Sequence, residues 1–183
     1  EKYLGKNNKA VEKMAVALEE AKALGIHEAD EEISALSEKL PSYAAQFQAV
    51  FDAQKKLGFN EKLGLQGRLR ASVHALEEEL NKQVMDKLKL SMLMMRRHEK
   101  DFIMRKASKY VGRMAKRKAE FTAMLDSPFV DPVAKKKLLT LMDTYHKDFN
   151  NYASVDIKMS GEVKKLSAIY GEMEPHLNKL FEI

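Results

Sequence analysis

The chain contains neither cysteine nor tryptophan. Disulfides and thiolate chemistry are therefore excluded, and this composition suits a periplasmic or a cytosolic protein equally. Aromatic residues make up only 8% of the 183 residues, beside eight glycines and four prolines. No run of β-branched and aromatic residues alternates with period two, so the sequence offers no strand. No apolar run reaches the ~18 residues that span a bilayer. A glycine-rich phosphate loop, a nucleophile elbow and a catalytic-triad signature are all missing, so neither catalysis nor a cofactor is expected. The five histidines, His27, His74, His98, His146 and His176, are scattered. His74 with Glu77 and Asp143 with His146 each set a carboxylate three residues from a histidine. No inward paired set of the di-metal type results, and no metal site is expected.

What is present is helix-forming. Alanine, leucine, lysine, glutamate and methionine dominate, and 45% hydrophobic residues suffice for a core. The expected fold class is all-α, with one large domain or two small ones. The net charge of +5 comes from 32 Lys+Arg against 27 Asp+Glu mixed along every segment. That describes a solvated helical surface with a mild preference for anions.

About six helices are predicted. The first ends near Leu24 at Gly25, with Leu4, Val11, Met14, Leu18 and Ala21 as its seam. The second runs from about Asp30 to Leu57 along Ile33, Leu36, Leu40, Tyr43, Phe47, Val50 and Gln54, with a kink or break at Pro41. The third starts near Gly64 and buries Leu65, Leu69, Val73, Leu76 and Leu80. A turn near Asn81–Lys87 leads to a fourth helix expected to reach Leu125. Asp131 as cap and Pro132 at the first helical position start the fifth. Ser160-Gly161 is expected to turn the chain into a sixth, with a weak point at Pro175.

The two halves repeat. An offset of 102 carries Tyr43 to Tyr145 and Phe47 to Phe149, and one of 107 carries Lys2-Tyr3-Leu4-Gly5-Lys6 to Lys109-Tyr110-Val111-Gly112-Arg113. Each half is a three-helix unit, and two such units can form two stacked four-helix bundles if helices one and four serve both. This places a distal module at about 1–105 and a proximal one at about 106–183. The chain opens in mid-helix at Glu1-Lys2-Tyr3, and the repeat expects a further segment upstream of it.

The stretch Met92–Arg105 holds the centre. Leu90, Leu93, Met94, Arg97, Asp101, Met104, Ser108 and Val111 share a stripe at helical steps, which is expected to face a core. Within it Arg97 and Asp101 either bridge each other or leave Arg97 to receive an anion. Levelling antiparallel helices across the turns brings Arg70, His74 and Arg97 together with Phe47, Phe51 and Gln54. Two guanidiniums and an imidazole beside aromatics would suit a small carboxylate, which arginine grips bidentately. The basic run Lys106–Lys118 could instead hold nucleic acid or an acidic partner. A purely structural helical spacer is the third reading.

Two blocks carry a resemblance: Leu57-Gly58-Phe59-Asn60-Glu61-Lys62-Leu63-Gly64-Leu65-Gln66-Gly67-Arg68-Leu69-Arg70, continuing to His74, and Arg96-Arg97-His98-Glu99-Lys100-Asp101-Phe102, followed by Lys109-Tyr110-Val111-Gly112-Arg113. In order and separation they resemble the helical bimodular sensor domain of bacterial methyl-accepting chemotaxis receptors and sensor kinases. The resemblance implies two stacked four-helix bundles and a periplasmic location in an inner-membrane receptor whose spans lie outside this chain. It also implies a homodimeric parent, signalling through the last helix, and small organic acids held by arginines; no nucleic acid is expected, because Tyr110, Val111 and Met114 interleave the basic run at the spacing of an amphipathic core helix. The residues expected at the ligand are Arg70, His74, Arg97, Asp101, Phe47, Phe51 and Gln54.

Overall fold

A computed structural model describes residues 2–83, 85–128 and 130–182. The protein is all-α, with six α-helices and one 3-10 turn among the described residues. The helices are α1 (Lys2–Ala23), α2 (Asp30–Leu57), α3 (Gly64–Asn81), α4 (Asp86–Arg105), α5 (Lys109–Met124) and α6 (Pro132–Leu180), with the 3-10 turn at His27–Ala29. They cluster into two compact units, Glu1–Ala53 with Met159–Ile183, and Gln54–Lys158. The expected module boundary at residues 105 and 106 falls at the α4–α5 corner, inside the second unit. The helices that contribute to both units are α2 and α6, where the repeat predicted helices one and four.

In the first unit, Gly25 stops α1 in the left-handed region (φ 67°). Asp30, Glu31 and Glu32 then supply negative charge to the first turn of α2, where the helix dipole favours it. Helix α2 continues through Pro41 without a break. The core is Leu18, Ala29, Ile33, Leu36, Leu40 and Met173, flanked by Val11, Met14, Tyr43 and Ile169. Of the seams predicted for the first two helices, Val11, Met14, Leu18 and Ala21 of one and Ile33, Leu36, Leu40 and Tyr43 of the other pack here. Lys179 reaches the otherwise buried Glu32 at 2.8 Å and holds its carboxyl below the usual range. Lys39 pairs with Glu172, and the Gln46 side-chain amide donates to Glu162 Oε2 at 2.7 Å.

The second unit packs α3, α4, α5 and the first half of α6. Its entry corner is built by the glycines of the first sequence block. Gly58 sits at φ 110°, and a Cβ there would lie 2.1 Å from the Leu63 carbonyl oxygen. Gly67 lets the backbone of Lys62 pass so close that a Cβ would meet its carbonyl oxygen at 2.3 Å. Within the corner, Asn60 Oδ1 accepts the Lys62 N–H at 2.9 Å. Leu65, Leu69, Val73, Leu76 and Leu80 of α3 are buried as predicted. At the other end of the unit, Asp131 caps α6 by accepting the Ala134 N–H at 2.8 Å, with Pro132 at the first helical position.

Three expectations are corrected. The fourth helix does not run to Leu125. It ends at Arg105, where Lys106 turns left-handed (φ 54°) and its N–H closes on the Phe102 carbonyl at 2.7 Å. A side chain in that conformation costs roughly 1–2 kcal/mol, offset by the 2.6 Å ion pair of Lys106 with buried Asp156. Second, Ser160-Gly161 makes no turn, and α6 is one helix of 49 residues. A mid-helix glycine costs about 1 kcal/mol, too little to break a helix packed on either side of it. Third, the stripe of α4 that faces the core is Leu88, Met92, Met95, Glu99 and Phe102. Leu90, Leu93 and Met104 of the expected stripe are 61%, 64% and 79% exposed. Phe102 is wholly buried, edge-on to Phe149 (5.6 Å) and Tyr152 (6.4 Å).

Candidate functional site

Between α3 and α4, inside the second unit, lies a cavity of about 170 Å³. Its wall carries Arg70 and His74 from α3, Arg96, Glu99, Lys100 and Ile103 from α4, and Glu61, Gln66 and Leu69 from the corner and first turns of α3. The residues fall there for a periodic reason. Arg70 and His74 are four apart on α3, as are Arg96 and Lys100 on α4, so each pair stands one above the other on a single helix flank. Both flanks border the buried seams, which brings charged head groups to the rim of an apolar core.

The floor is a buried polar cluster. The Glu99 carboxylate, whose side chain is 3% exposed, receives Arg96 Nη1 at 2.6 Å to each oxygen. It also accepts the Tyr145 hydroxyl from α6 at 2.8 Å. Arg96 Nε lies 3.3 Å from Glu77, which also takes His74 Nδ1 at 3.2 Å. Lys100 stands 3.7 Å from Glu99. Burial works against the Arg96 charge, but Glu99 and Glu77 outweigh it and raise its affinity for the proton. Burial, reinforced by Glu99, pushes the Tyr145 phenol well above its ordinary value, so it stays a neutral donor. Glu99 is thus a charge kept inside by a cation and a hydroxyl, the condition under which a buried carboxylate is tolerated.

The predicted site residues divide. Arg70 and His74 line the cavity together. Arg97 is exposed on the outer face of α4, and Asp101 points to Arg105 Nε at 3.7 Å. Phe47 and Phe51 belong to the first unit, where Phe47 tilts against Tyr43 with ring centroids 6.4 Å apart. Gln54 closes the end of α2 by donating to the Gly58 carbonyl at 2.8 Å. Sequence reasoning missed Arg96, Glu99 and Lys100. Arg96 neighbours the arginine that was named, and one residue of phase is 100° around a helix.

Five of the six cations of Lys106–Lys118 are engaged within the protein. Lys106 pairs with Asp156, Arg117 with Glu120 and Lys118 with Asp143, and Lys109 and Arg113 lie 5.3 Å from the Tyr110 ring centre. Among the described residues no group of three or more potential metal ligands occurs, and no helix is long and apolar enough to cross a membrane. Neither protein-family models, nor curated proteins, nor solved structures give a match to this chain.

Proposed function

We propose that the chain is a sensor domain for small organic acids, of the helical bimodular kind that serves chemotaxis receptors, and that the cavity between α3 and α4 is its carboxylate site. The observation that carries this reading is Arg70, which makes no ion pair among the described residues and stands with His74, Arg96 and Lys100 around one cavity whose Glu99, like the neighbouring Glu77, is already engaged by Arg96. A cavity of about 170 Å³ takes an acid of a few carbons and is smaller than the ~300 Å³ at which drug-sized sites begin. Arg70 supplies the bidentate grip, and Arg96 offers whichever of its five N–H donors Glu99 and Glu77 leave free. An arriving carboxylate competes with Glu99 for Arg96, and Glu99 touches Tyr145 on α6. Ligand occupancy would then bias the packing of α6, the route by which a receptor reports it. The same reading makes the domain the extracytoplasmic part of a homodimeric inner-membrane receptor.

Thermal unfolding against mono-, di- and tricarboxylates tests it. An acid at ~100 times its dissociation constant adds about 2.7 kcal/mol of stability. Arg70→Ala, at an exposed position, is expected to leave the fold intact and abolish the shift. If no acid shifts the transition, or the shift survives Arg70→Ala, the reading is wrong. A spacer, with Arg96 satisfied internally, predicts the first of those failures.

A further inference from the structure

Helix α4 has two seams. The inner one, Leu88, Met92, Met95, Glu99 and Phe102, is spent on the core. The outer one runs Leu90, Met94, Arg97, Asp101, Met104 at steps of four and three, the spacing by which one helix lays a stripe along another. Exposed apolar side chains scattered singly are ordinary. Here Leu90, Leu93 and Met104, each more than 60% exposed, share one face with the half-buried Met94. Leu93 also borders a cleft of about 340 Å³ between α3 and α4.

The charges on this stripe say what would cover it. Arg97 makes no ion pair among the described residues, and Asp101 has only the long 3.7 Å approach of Arg105. An apolar ligand has no use for either group, and a polyanion would be repelled by Asp101. About position 99, Arg97 mirrors Asp101 and Met94 mirrors Met104, so these four residues are their own complement in an antiparallel pair, with Leu90 lying beyond them. That is the requirement of an isologous contact, in which residue i of one copy meets j of the other and j meets i.

We propose that the outer face of α4 docks a second copy of this chain through the same face, with Arg97 of each copy paired to Asp101 of the other and Leu90, Leu93, Met94 and Met104 packed around the two pairs. The reciprocity requires the partner helix to run antiparallel, with the two-fold axis passing near position 99. The surface uses neither Arg70 nor His74, so it stands or falls independently of the carboxylate site. It supplies a face for the homodimer that the sensor reading expects.

Sedimentation equilibrium of the 183-residue chain is the test. The expected result is a concentration-dependent species of twice the 20.9 kDa chain mass. Arg97→Asp and Asp101→Arg each set like charges across the contact and should weaken it at least about ten-fold. The double variant R97D/D101R should restore the parent affinity to within about three-fold, which a merely structural role for either residue does not explain. Circular dichroism checks that the variants keep the helix content of the parent. The chain has no cysteine, so M94C/M104C gives a clean second readout: mild oxidation should link two chains covalently, as cysteines on the buried seam should not. A monomer up to ~1 mM, or a dimer indifferent to both charge reversals, overturns the proposal.

Discussion

Tyr145→Phe isolates the buried cluster beneath the cavity. The substitution removes one hydroxyl from a wholly buried ring and leaves its shape. The lost interaction is the 2.8 Å donation to the Glu99 carboxylate. A hydrogen bond to a charged group is worth about 1.5–3 kcal/mol, and Arg96 still neutralises Glu99, so the expected loss at pH 7 is about 2 kcal/mol. The pH dependence supplies a sharper check. The folded-state phenol ionises well above its ordinary range, so the stability it contributes is fully present below the unfolded value near 10 and is lost as pH rises beyond it. While the folded phenol stays neutral, the wild type loses about 1.4 kcal/mol relative to Tyr145→Phe by pH 11. Urea unfolding of the pair at pH 7, 9, 10 and 11 measures the difference, and other titrating groups cancel because both proteins carry them. A pH 7 difference below ~0.5 kcal/mol, the scatter of neutral surface changes, or one that stays constant to pH 11, would refute the reasoning.

The histidines give an acid limb. Burial first, then Arg117 and Arg113, with Arg97 adding to and Asp101 opposing them, depress His98, so stability falls as pH drops through the unfolded value near 6.5; urea midpoints at pH 7.5 and 5 should differ less in His98→Leu than in the parent. Two glycines should respond in opposite directions to alanine. Gly58→Ala puts a Cβ against the Leu63 carbonyl at positive φ and should cost 1–3 kcal/mol or more, whereas Gly161→Ala, in open space within α6, should gain about 0.5–1 kcal/mol; denaturant titration ranks them. The register of α4 is tested by Phe102→Ala, expected to lose about 3–5 kcal/mol, against Met104→Ala, expected within about 0.5 kcal/mol in the monomer. Equal costs at the two positions would reject the assigned inner seam.

The helical class and most elements were legible because α2 and α3 each offer a single apolar seam. Helix α4 offers two, and spacing alone does not choose between them. Burying Leu90, Met94, Arg97, Asp101 and Met104 would hide two charges. The inner seam hides one carboxylate, Glu99, beside the buried Ser91 and His98, and places Phe102 at its end. That charge difference was the available signal, and it separates Arg96 from Arg97 at the cavity. The corner at Lys106 carries neither glycine nor proline, and what holds it is a distant carboxylate, Asp156, that local sequence does not reveal. Gly161 marks the reverse case, a turn signal overridden by packing. In the two sequence blocks, Gly58 and Gly67 form the corner, while Arg70, Arg96, Glu99 and Lys100 reach the cavity.

The discontinuity of the first unit bears on how the chain reaches its native state. The second unit is one uninterrupted stretch whose helices meet their neighbours across short connections, the topology that folds fast. The first must join Glu1–Ala53 to Met159–Ile183. Closing the intervening segment as free chain costs roughly 4 kcal/mol in the logarithmic loop law, before its constant. Pulsed hydrogen exchange should therefore protect the amides around Leu69, Leu76 and Phe102 before those around Leu36 and Met173. In that order of events the inserted stretch would be the kinetic template, and Leu36 and Met173, 137 positions apart in the chain, would find each other only after what lies between them had folded.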